Sequence, residues 1–487
     1  MSKPSDLFDR DSEWAALEEF VTADRPGTAL GLVYGRRRQG KTFLLELLVE
    51  QYDGFYFSAL SQSSTQNLSR LAEHYQAFTR SRAHVAFDTW EQAFEAVLAL
   101  GEDRDNPVVV VIDEFPYLLE GAPELPSVLQ SLLRPRGPAA RSWRTRLILC
   151  GSALSVMRNL LAGTAPLRGR AALELMVHPF GYRDAAEFWG LAKDPDLALR
   201  LHALIGGTPA YRDMAGARPP TKSASLDTWV AKNLLNPASA MFREGNVLLS
   251  EETRVVDTAV YHSVLSALSQ GRTRRGELAA AIGRGEGALA HPLTVLTEAR
   301  FIEPLDDAFR QRRTTFHLCE PVLRLHQLVI APHESRLNRH HAREVWAEVQ
   351  DTVSSKVFGP HFESICRTWC EEHAERSTLG GTASRVLPAL VACPEHRTNH
   401  ELDAVVLETK TGVADRVVAL GEAKWRTEPV SFTELNLLEH IRSLVPAAER
   451  ARLLLFSRSG FTPELLSHAG GREDLRLVGL EQLYGSG

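Results

Sequence analysis

The sequence has 487 residues, too many for one ordinary hydrophobic core, and its length predicts roughly three domains of about 150 residues each. Its 44% hydrophobic and 24% charged residues are typical of globular proteins, and no stretch approaches the roughly 18 consecutive apolar residues that cross a bilayer. The net charge of -6 neither predicts nor excludes nucleic-acid binding, because a mildly acidic protein can carry a local basic face.

The N-terminus and the cysteines bear on the cellular compartment. The opening "MSKPSDLFDRDSEW" lacks the apolar core of a signal peptide. The five cysteines are odd in number and form no CxxC pair, so we expect neither a disulfide framework nor a structural zinc site. We therefore expect a cytoplasmic protein without a membrane partner.

Residues 1–180 are expected to form the first domain. Within it, from Ala29 onward, apolar runs alternate with amphipathic stretches. In order they are "ALGLVY", a helix from Lys41, "GFYFSAL", helices near 64–80 and 88–101, "PVVVVIDEF", a helix near 125–134, "RLILCGSA" and "AALELMV". Strands that are apolar throughout and separated by helices predict a parallel sheet covered on both faces.

Two segments rich in predicted helix follow. Residues 181–255 are expected to form a helical lid and a connector: helices from Tyr182 to about Ala215 include "IGGTPAY", and the connector from Gly216 to about Glu252 includes "ARPPTKSAS" and "LLNPASAMF". Residues 256–335 show three short helices and a two-stranded hairpin, which predicts a winged helix-turn-helix. The hairpin carries three arginines expected to point outward, toward phosphate or toward the N-terminal domain: Arg310, Arg312 and Arg313.

Residues 340–487 follow the order helix, strand, strand, strand, helix, strand. This order predicts a separate α/β domain at the C-terminus. The fold class expected for the whole chain is therefore α/β and multidomain.

A phosphate-binding loop stands between the first strand and the first helix of the predicted parallel sheet. It matches GxxxxGK[ST] in this structural context through Gly35, Arg36, Arg37, Arg38, Gln39, Gly40, Lys41 and Thr42. Backbone N–H groups cradle phosphates in such loops, the lysine neutralises the β and γ oxygens, and the threonine hydroxyl can ligate Mg²⁺. The alternative is a glycine turn with a chance lysine. The motif predicts ATP and Mg²⁺ as ligands.

Polar residues at the ends of later strands complete the predicted nucleotide site. Asp113 is placed to hold Mg²⁺ and Glu114 to act as general base for the attacking water, although an acidic pair after an apolar run can also be a solvated strand end. Ser152 could sense the γ-phosphate. Arg170, or Arg168, could reach a phosphate in cis or from a neighbouring subunit, which allows for a homo-oligomer, or could form only a surface salt bridge.

Several motifs together resemble one known family. "FDRDSEW", "YGRRRQGKT", "VIDEFPYL", "CGSALSVM", "PLRGR" and "GGTPAY" look like the archaeal-type ATPases of the signal-transduction (STAND) group, relatives of the AAA+ ATPases. The resemblance extends into the C-terminal domain usually paired with them. It implies that Arg10 and the turn from Gly206 to Pro209 also lie near the nucleotide. Gln39 departs from the small apolar residue common in the family.

The C-terminal domain carries a second constellation, which resembles the PD-(D/E)xK restriction-endonuclease-like fold. Strand periodicity puts Glu422 and Lys424 on one face, Asp403 precedes them on the neighbouring strand, and Glu363 lies on the preceding helix. Such carboxylates can hold Mg²⁺, and the lysine can orient an attacking water. The Gly-Trp-Trp segment common in the family is absent, and the same residues could instead form a buried ion-pair network.

These features predict an ATP-hydrolysing switch that binds DNA or RNA and carries a metal-dependent nuclease-like effector. The alternative is an ATP-gated regulator or scaffold whose nuclease-like domain is inactive. The third helix of the winged segment, "EGALAHPLTVLTEAR", favours the alternative because it offers few side chains suited to base edges. A nucleotide-binding signalling module alone is a third hypothesis.

Overall fold

The computed structural model describes residues 3–102, 104–137, 139, 142–216, 218–250, 258–310 and 312–485. These residues form two compact units. The first contains the chain up to Pro179 together with Thr208–Ala210, and the second contains Phe180–Gly207, Tyr211–Ser250 and the chain from Thr258 onward. The domains predicted at 181–255, 256–335 and 340–487 stay predictions. Their described residues fall in the second unit apart from Thr208–Ala210, and the boundary at 255 lies outside the described residues.

The first unit is built on the predicted parallel sheet, which is confirmed. Its order is β2-β3-β4-β1-β5, with β1 (Ala29–Tyr34), β2 (Phe55–Ser58), β3 (Val108–Asp113), β4 (Thr145–Gly151) and β5 (Ala171–Met176). Alternate residues of β3 enter two separate clusters, Val110 and Ile112 on one face and Val109 and Val111 on the other. Burial on both faces explains why this strand is apolar throughout.

Seven helices that the structure describes cover this sheet. They are α1 (Asp11–Thr22), α2 (Lys41–Gln51), α3 (Ser64–Thr79), α4 (Trp90–Leu98), α5 (Phe115–Gly121), α6 (Leu125–Leu132) and α7 (Leu154–Asn159). Helix α3 begins where Ser63 and Gln66 form a capping box, which satisfies the first free backbone N–H groups. The neighbouring order β3-β4-β1 brings the segments after these strands together at one edge of the sheet.

The second unit begins with helices where the sequence predicted a lid and then a connector. Helices α8 (Tyr182–Phe188), α9 (Pro195–Ile205) and α10 (Tyr211–Met214) lie where helices were predicted, and their role as a lid stays a prediction. The connector prediction was wrong: α11 (Leu226–Asn233), a 3₁₀ turn (Ala240–Arg243) and α12 (Glu244–Ser250) occupy most of it. Apolar side chains such as Val230 and Leu249 are fully buried there, so tertiary packing outweighs the local Pro and Ser signals.

Three helices and a hairpin follow, in the predicted order. They are α13 (Thr258–Ser269), α14 (Arg275–Ala281) and α15 (Ala290–Glu298), then the antiparallel strands β6 (Ile302–Asp306) and β7 (Thr314–Leu318). The tip of the hairpin packs on the C-terminal sheet through Ala308, whose N–H donates to the Pro388 carbonyl at 3.0 Å.

This packing corrects the expected direction of two wing arginines. Arg310 donates to Asn399 Oδ1 at 2.8 Å, and Arg313 lies 3.8 Å from Asp307. Both therefore make contacts inside the second unit, because the hairpin tip is anchored on the C-terminal sheet. Arg312 is exposed.

A long helical region leads to the C-terminal sheet. It consists of α16 (Pro321–Leu325), a π-helical segment (His326–Ile330), α17 (Ala331–Leu337), α18 (Ala342–Glu348), α19 (Gln350–Val353), a second π segment (Ser354–Phe358), α20 (Gly359–Thr368), a third (Trp369–His373) and α21 (Arg376–Leu379). Within the described residues, no helix combines the length and apolar composition needed to cross a membrane.

The C-terminal sheet has the order β12-β11-β10-β9-β8 and is mixed. Its elements are β8 (Arg385–Cys393), β9 (Thr398–Glu408), β10 (Arg416–Lys424), α22 (Phe432–Leu444), β11 (Arg452–Ser457), α23 (Pro463–Ala469), β12 (Leu475–Val478) and α24 (Leu480–Tyr484). The predicted six-element order is present, and α23, β12 and α24 extend it. Helix α20 packs on the sheet face that carries Ala404 and Val406, and α22 packs on the face that carries Leu402 and Val405.

A β-bulge lies in the middle of β9. Pairing with β8 passes from Leu387–Val405 to Ala389–Leu402, so Asp403 and Ala404 both lie opposite Pro388. Proline has no N–H to donate to a sheet, which suits this interruption. Bulges redirect side chains, and this one contains a predicted site residue.

Candidate functional site

The predicted phosphate loop joins β1 to α2 and has the backbone that its glycines require. Gly40 precedes α2 with φ of 88°, a conformation that L side chains rarely adopt. A Cβ at Gly35 would lie 2.3 Å from the Val177 carbonyl oxygen, so only glycine fits there. Lys41 is buried and donates from Nζ to the Arg36 carbonyl at 2.9 Å, so its ammonium lies back across the loop.

Two residues expected only from the family resemblance lie against this loop. Arg10 is buried and donates to the carbonyl oxygens of Gln39 at 3.2 Å and His178 at 2.7 Å. On the other side, the N–H of Ala210, next to Pro209, donates to the Arg38 carbonyl at 3.4 Å. These contacts brace the backbone of the loop, whereas direct contact of Arg10 or Pro209 with nucleotide stays a prediction.

Asp113 lies at the end of β3, where hydrogen bonds from neighbouring groups hold its carboxylate. The Thr42 hydroxyl and the Tyr56 hydroxyl each donate to Oδ2 at 2.8 Å, and the Glu114 N–H donates to Oδ1 at 2.8 Å. A threonine hydroxyl beside a buried carboxylate supplies the hard oxygen ligands that Mg²⁺ prefers. These two residues therefore fit the predicted Mg²⁺ site.

Sequence reasoning missed Tyr56. It lies on β2, which pairs with β3, and both burial and the adjacent Asp113 raise the pKa of its hydroxyl. The phenol therefore stays protonated and acts as a donor. The available signal was a tyrosine in the strand "FYFS", which the parallel order places beside the strand that ends in Asp113.

Glu114 and Ser152 meet at the edge of the sheet. The Ser152 hydroxyl donates to Glu114 Oε2 at 3.0 Å and Oε1 at 3.3 Å. Glu114 has φ of 51°, a left-handed conformation unusual for glutamate, and strain of this kind is frequent at functional sites. The carboxylate is thus turned toward the residue predicted to sense the γ-phosphate.

The predicted arginines make other contacts. Arg170 donates to the Leu133 carbonyl at 3.0 Å, and Arg168 donates to the Gly163 carbonyl at 2.6 Å. Among the described hydrogen bonds, neither arginine reaches the phosphate loop. A phosphate-binding role for Arg170 stays a prediction. It requires that the Arg170 side chain move toward the phosphate loop, or that it reach the nucleotide of a neighbouring subunit.

The C-terminal constellation is assembled around the bulge of β9. Asp403 Oδ2 accepts a hydrogen bond from the Ala423 N–H at 2.7 Å, and Lys424 forms an ion pair with Glu422 Oε1. Glu363 approaches from α20. Its pKa is raised by burial and then by the Asp403 carboxylate, which shows that the two carboxyl groups are close enough to repel each other.

Burial raises the pKa values of the carboxyl groups in this cluster, which also outnumber the positively charged groups beside them. Burial and the Asp403 carboxylate raise the pKa of Glu422 to about 7, and burial with Asp403 raises that of Glu363 to about 8. Burial alone would lower the pKa of Lys424, but its carboxylate neighbours, Glu422 first, raise it instead. Within the described residues, Glu422 Oε2 is buried and has no hydrogen-bond partner. An unsatisfied oxygen beside two further carboxyls fits a divalent cation.

Arg367 is a second residue that sequence reasoning missed. It lies on α20 one turn after Glu363 and donates to the Asp403 carbonyl at 3.0 Å. This hydrogen bond ties the helix to the bulge. The i to i+4 spacing from Glu363 was the only signal available, and it is common on solvated helices.

One family model matches the N-terminal part of the chain. Residues 7–209 match an ATPase domain described as predominantly from Archaea. This segment, less than half of the chain, is therefore similar to ATPase domains of that kind.

Similarity to individual proteins extends further along the chain. An uncharacterized protein of Methanocaldococcus jannaschii, MJECL04, is 24% identical over 337 residues, which cover 68% of this chain and 70% of the relative. The Walker-type ATPase PABY2304 of Pyrococcus abyssi has a TM-score of 0.46 at 20% identity, covering 67% of this chain and 97% of that one. The ORC2 protein of Aeropyrum pernix, solved as ADPNP-ADP complexes, has a TM-score of 0.43 at 17% identity, covering 72% and 97%.

Proposed function

We propose that this protein is an ATP-hydrolysing switch that binds nucleic acid and carries a metal-dependent nuclease-like effector site. For the ATPase half, support comes from the match of residues 7–209 and from the hydrogen-bonded group of Thr42, Asp113, Glu114 and Ser152. Bound Mg²⁺ would neutralise phosphate charge, and Thr42 and Asp113 are the residues that would hold it.

The roles within the ATPase half follow from these positions. Lys41 would leave the Arg36 carbonyl to neutralise the β and γ oxygens. Glu114 would accept the proton of the attacking water, with Ser152 fixing the orientation of its carboxylate. A left-handed backbone at Glu114 is consistent with a side chain held for chemistry at some cost to stability.

The effector proposal depends on one observation, the unsatisfied Glu422 Oε2 in a cluster with Glu363 and Asp403. A divalent cation held by these carboxylates would polarise a phosphodiester. Lys424, which forms an ion pair with Glu422, would orient the attacking water and offset negative charge as it develops. A compact ammonium suits this role better than a planar guanidinium.

Nucleic-acid binding is proposed through α13–α15 and the β6–β7 hairpin, interpreted as a winged helix-turn-helix. Arg274, Arg275 and Arg312 are exposed on this segment, whereas Arg310 is engaged by Asn399. Removing one side chain that neutralises a phosphate lowers the slope of log affinity against log salt by about one unit. Arg312→Asn, which tolerates the left-handed φ of 63° there, should lower the slope, and Arg310→Ala should not.

The test of the effector compares two Glu-x-Lys triplets of the same chain. Purified protein is incubated with single- and double-stranded DNA and with RNA, with Mg²⁺ or Mn²⁺, and with or without ATP. Lys424→Ala should abolish cleavage, and Lys410→Ala, at the exposed end of a hairpin, should leave it unchanged. ATP hydrolysis should persist in both variants. No cleavage by the unaltered protein under any of these conditions would refute the effector proposal.

A second candidate is the ATP-gated regulator or scaffold with an inactive nuclease-like domain. It is favoured by the pairing of Lys424 with Glu422 and by the intramolecular contacts of Arg310 and Arg313. In that case Lys424 is a structural ion-pair partner, and Lys424→Ala should cost roughly 3–5 kcal/mol of stability because a buried carboxylate loses its counter-charge. The melting temperature of this variant separates the two candidates.

A further inference from the structure

Four metal-ligating side chains converge at the outer end of the β8–β9 hairpin. Cys393 ends β8, His396 lies in the turn, His400 lies on β9 and His440 lies on α22. One ligand atom from each lies within 4.8 Å of the others. We propose that Cys393, His396, His400 and His440 form a tetrahedral site for Zn²⁺ or a similar transition-metal ion.

The pairing of the strands explains how two of these residues meet. Cys393 pairs with Thr398 and Val391 pairs with His400, and directly paired residues of antiparallel strands project from the same face. That face is covered by α22, where Leu438 and Ile441 pack in the same cluster as Val391. His440 lies on the same helix and reaches the same end of the sheet, because its Nε2 is 3.3 Å from Cys393 Sγ.

The distances fit metal coordination. Cys393 Sγ lies 3.3 Å from His396 Nδ1 and 3.3 Å from His440 Nε2. Zinc–sulfur bonds of about 2.3 Å and zinc–nitrogen bonds of about 2.0–2.1 Å at tetrahedral angles place ligand atoms about 3.3–3.7 Å apart. Small side-chain adjustments would bring the remaining pairs within this range.

The chemistry of the four ligands and one unsatisfied nitrogen atom both favour a bound transition-metal ion. Three imidazoles and one thiol suit zinc and other borderline transition metals rather than Mg²⁺ or Ca²⁺. Within the described part of the chain, His400 Nε2 is buried and has no hydrogen-bond partner. Buried imidazole nitrogens are normally satisfied, and a metal would satisfy this one. Binding would release the thiol proton of Cys393, since the thiolate is the ligand.

This site is distinct from the carboxylate cluster. His400 shares the α22 face of the sheet with Leu402, whereas Glu363 belongs to α20, which packs on the opposite face. The positions of the ligands indicate a structural role for the metal, which would link α22 to the tip of the β8–β9 hairpin. Asn399, beside His400, accepts the hydrogen bond of Arg310, so the fastened hairpin is the one that holds the β6–β7 wing.

The sequence prediction of no structural zinc site considered cysteine pairs alone. The spacing here is Cys-x₂-His-x₃-His, with the fourth ligand 40 residues beyond His400. That fourth ligand becomes apparent only when the helix is packed on the sheet.

The test measures metal binding directly. The purified full-length protein is analysed for bound metal by mass spectrometry and titrated with Co²⁺, whose thiolate charge-transfer band reports coordination by cysteine. We expect one equivalent of zinc, or one Co²⁺ bound with that band. Cys393→Ser should remove the band, and His440→Ala should weaken Co²⁺ binding at least tenfold.

Two matched controls and one surface variant keep the result interpretable. Cys319→Ser and His291→Ala alter an exposed cysteine and an exposed histidine elsewhere and should bind Co²⁺ as the unaltered protein does. His396→Ala changes an exposed turn residue, so it should fold normally and still lose affinity. An unaltered protein that binds neither metal, or a Cys393→Ser variant with unchanged Co²⁺ affinity and spectrum, would overturn the proposal.

Discussion

Replacing Glu363 by glutamine should change how stability depends on pH. The pKa of Glu363 is about 8 in the folded protein against an ordinary value of 4.5, because burial and Asp403 disfavour the ionised form. A pKa that folding raises contributes stability that is full below pH 4.5 and is lost as pH rises through 8. Between about pH 5 and pH 7 the loss extends over roughly two pH units at about 1.36 kcal/mol each, which is about 3 kcal/mol.

Glu363→Gln removes the titrating group and keeps its size. Between about pH 5 and pH 7, we therefore expect the free energy of unfolding to fall less in this variant than in the unaltered protein. The difference between the two decreases should be about 3 kcal/mol. Thermal and urea unfolding without added Mg²⁺ would be followed by tryptophan fluorescence, to which Trp369 and Trp425 contribute. Glu372→Gln, an exposed glutamate shortly after the same helix, is the matched control and should follow the unaltered protein.

Added Mg²⁺ extends the test to the proposed metal site. At about pH 7 a bound cation stabilises the folded state in proportion to the logarithm of its concentration over its dissociation constant. The unaltered protein should gain stability with Mg²⁺, and Glu363→Gln should gain less because one ligand is removed. Identical pH dependence in the two proteins would refute the electrostatic reasoning, and identical stabilisation by Mg²⁺ would refute Glu363 as a ligand.

Three further predictions concern the ATPase half and the second unit. Lys41→Ala should lose ATP binding, whereas Glu114→Gln should bind ATP and lose turnover; equal loss of binding with folding intact would contradict these roles. Tyr56→Phe removes a hydrogen-bond donor to Asp113, a charge-assisted bond worth about 1.5–3 kcal/mol, and should raise the Mg²⁺ concentration needed for half-maximal hydrolysis by tenfold or more. Burial lowers the pKa of His202 to about 4 in the folded protein. The stability present above pH 6.5 should therefore be lost toward pH 4, by about 1.4 kcal/mol per pH unit. His202→Gln should make the free energy of unfolding depend less on pH over this range.

The parts of the fold that sequence predicted correctly depend on local signals. The three central strands of the first sheet, β1, β3 and β4, were visible because burial on both faces demands continuous apolar runs, as in "VVVVID". The loop between β1 and α2 was visible because Gly35 and Gly40 occupy positions that exclude side chains. Parallel pairing then brings Asp113 and Ser152 to the same edge, so their proximity also follows from strand order.

Features that depend on long-range packing were not predictable. The stretches "ARPPTKSAS" and "LLNPASAMF" do not predict that Leu235, or Trp229 between them, belongs to the core. Their burial depends on helices that are distant in the sequence. The wing arginines were assigned outward from hairpin periodicity alone, and the acceptor of Arg310, Asn399, lies 89 residues along the chain. The bulge at Asp403 likewise requires Pro388 on the partner strand.

The two Glu-x-Lys triplets of the C-terminal sheet show why spacing alone could not identify the site. Glu408 accepts hydrogen bonds from the Thr382 N–H and from Arg416, which with Lys410 hold its pKa down to about 2. Glu422 has the same spacing to Lys424, yet its pKa is raised to about 7 and its Oε2 is unsatisfied among the described residues. A structural ion pair in a folded protein normally satisfies its buried atoms, since each unsatisfied one costs about 1–3 kcal/mol. The first triplet meets that standard and the second does not, which is the observation that supports the proposal of a cation site at Glu422.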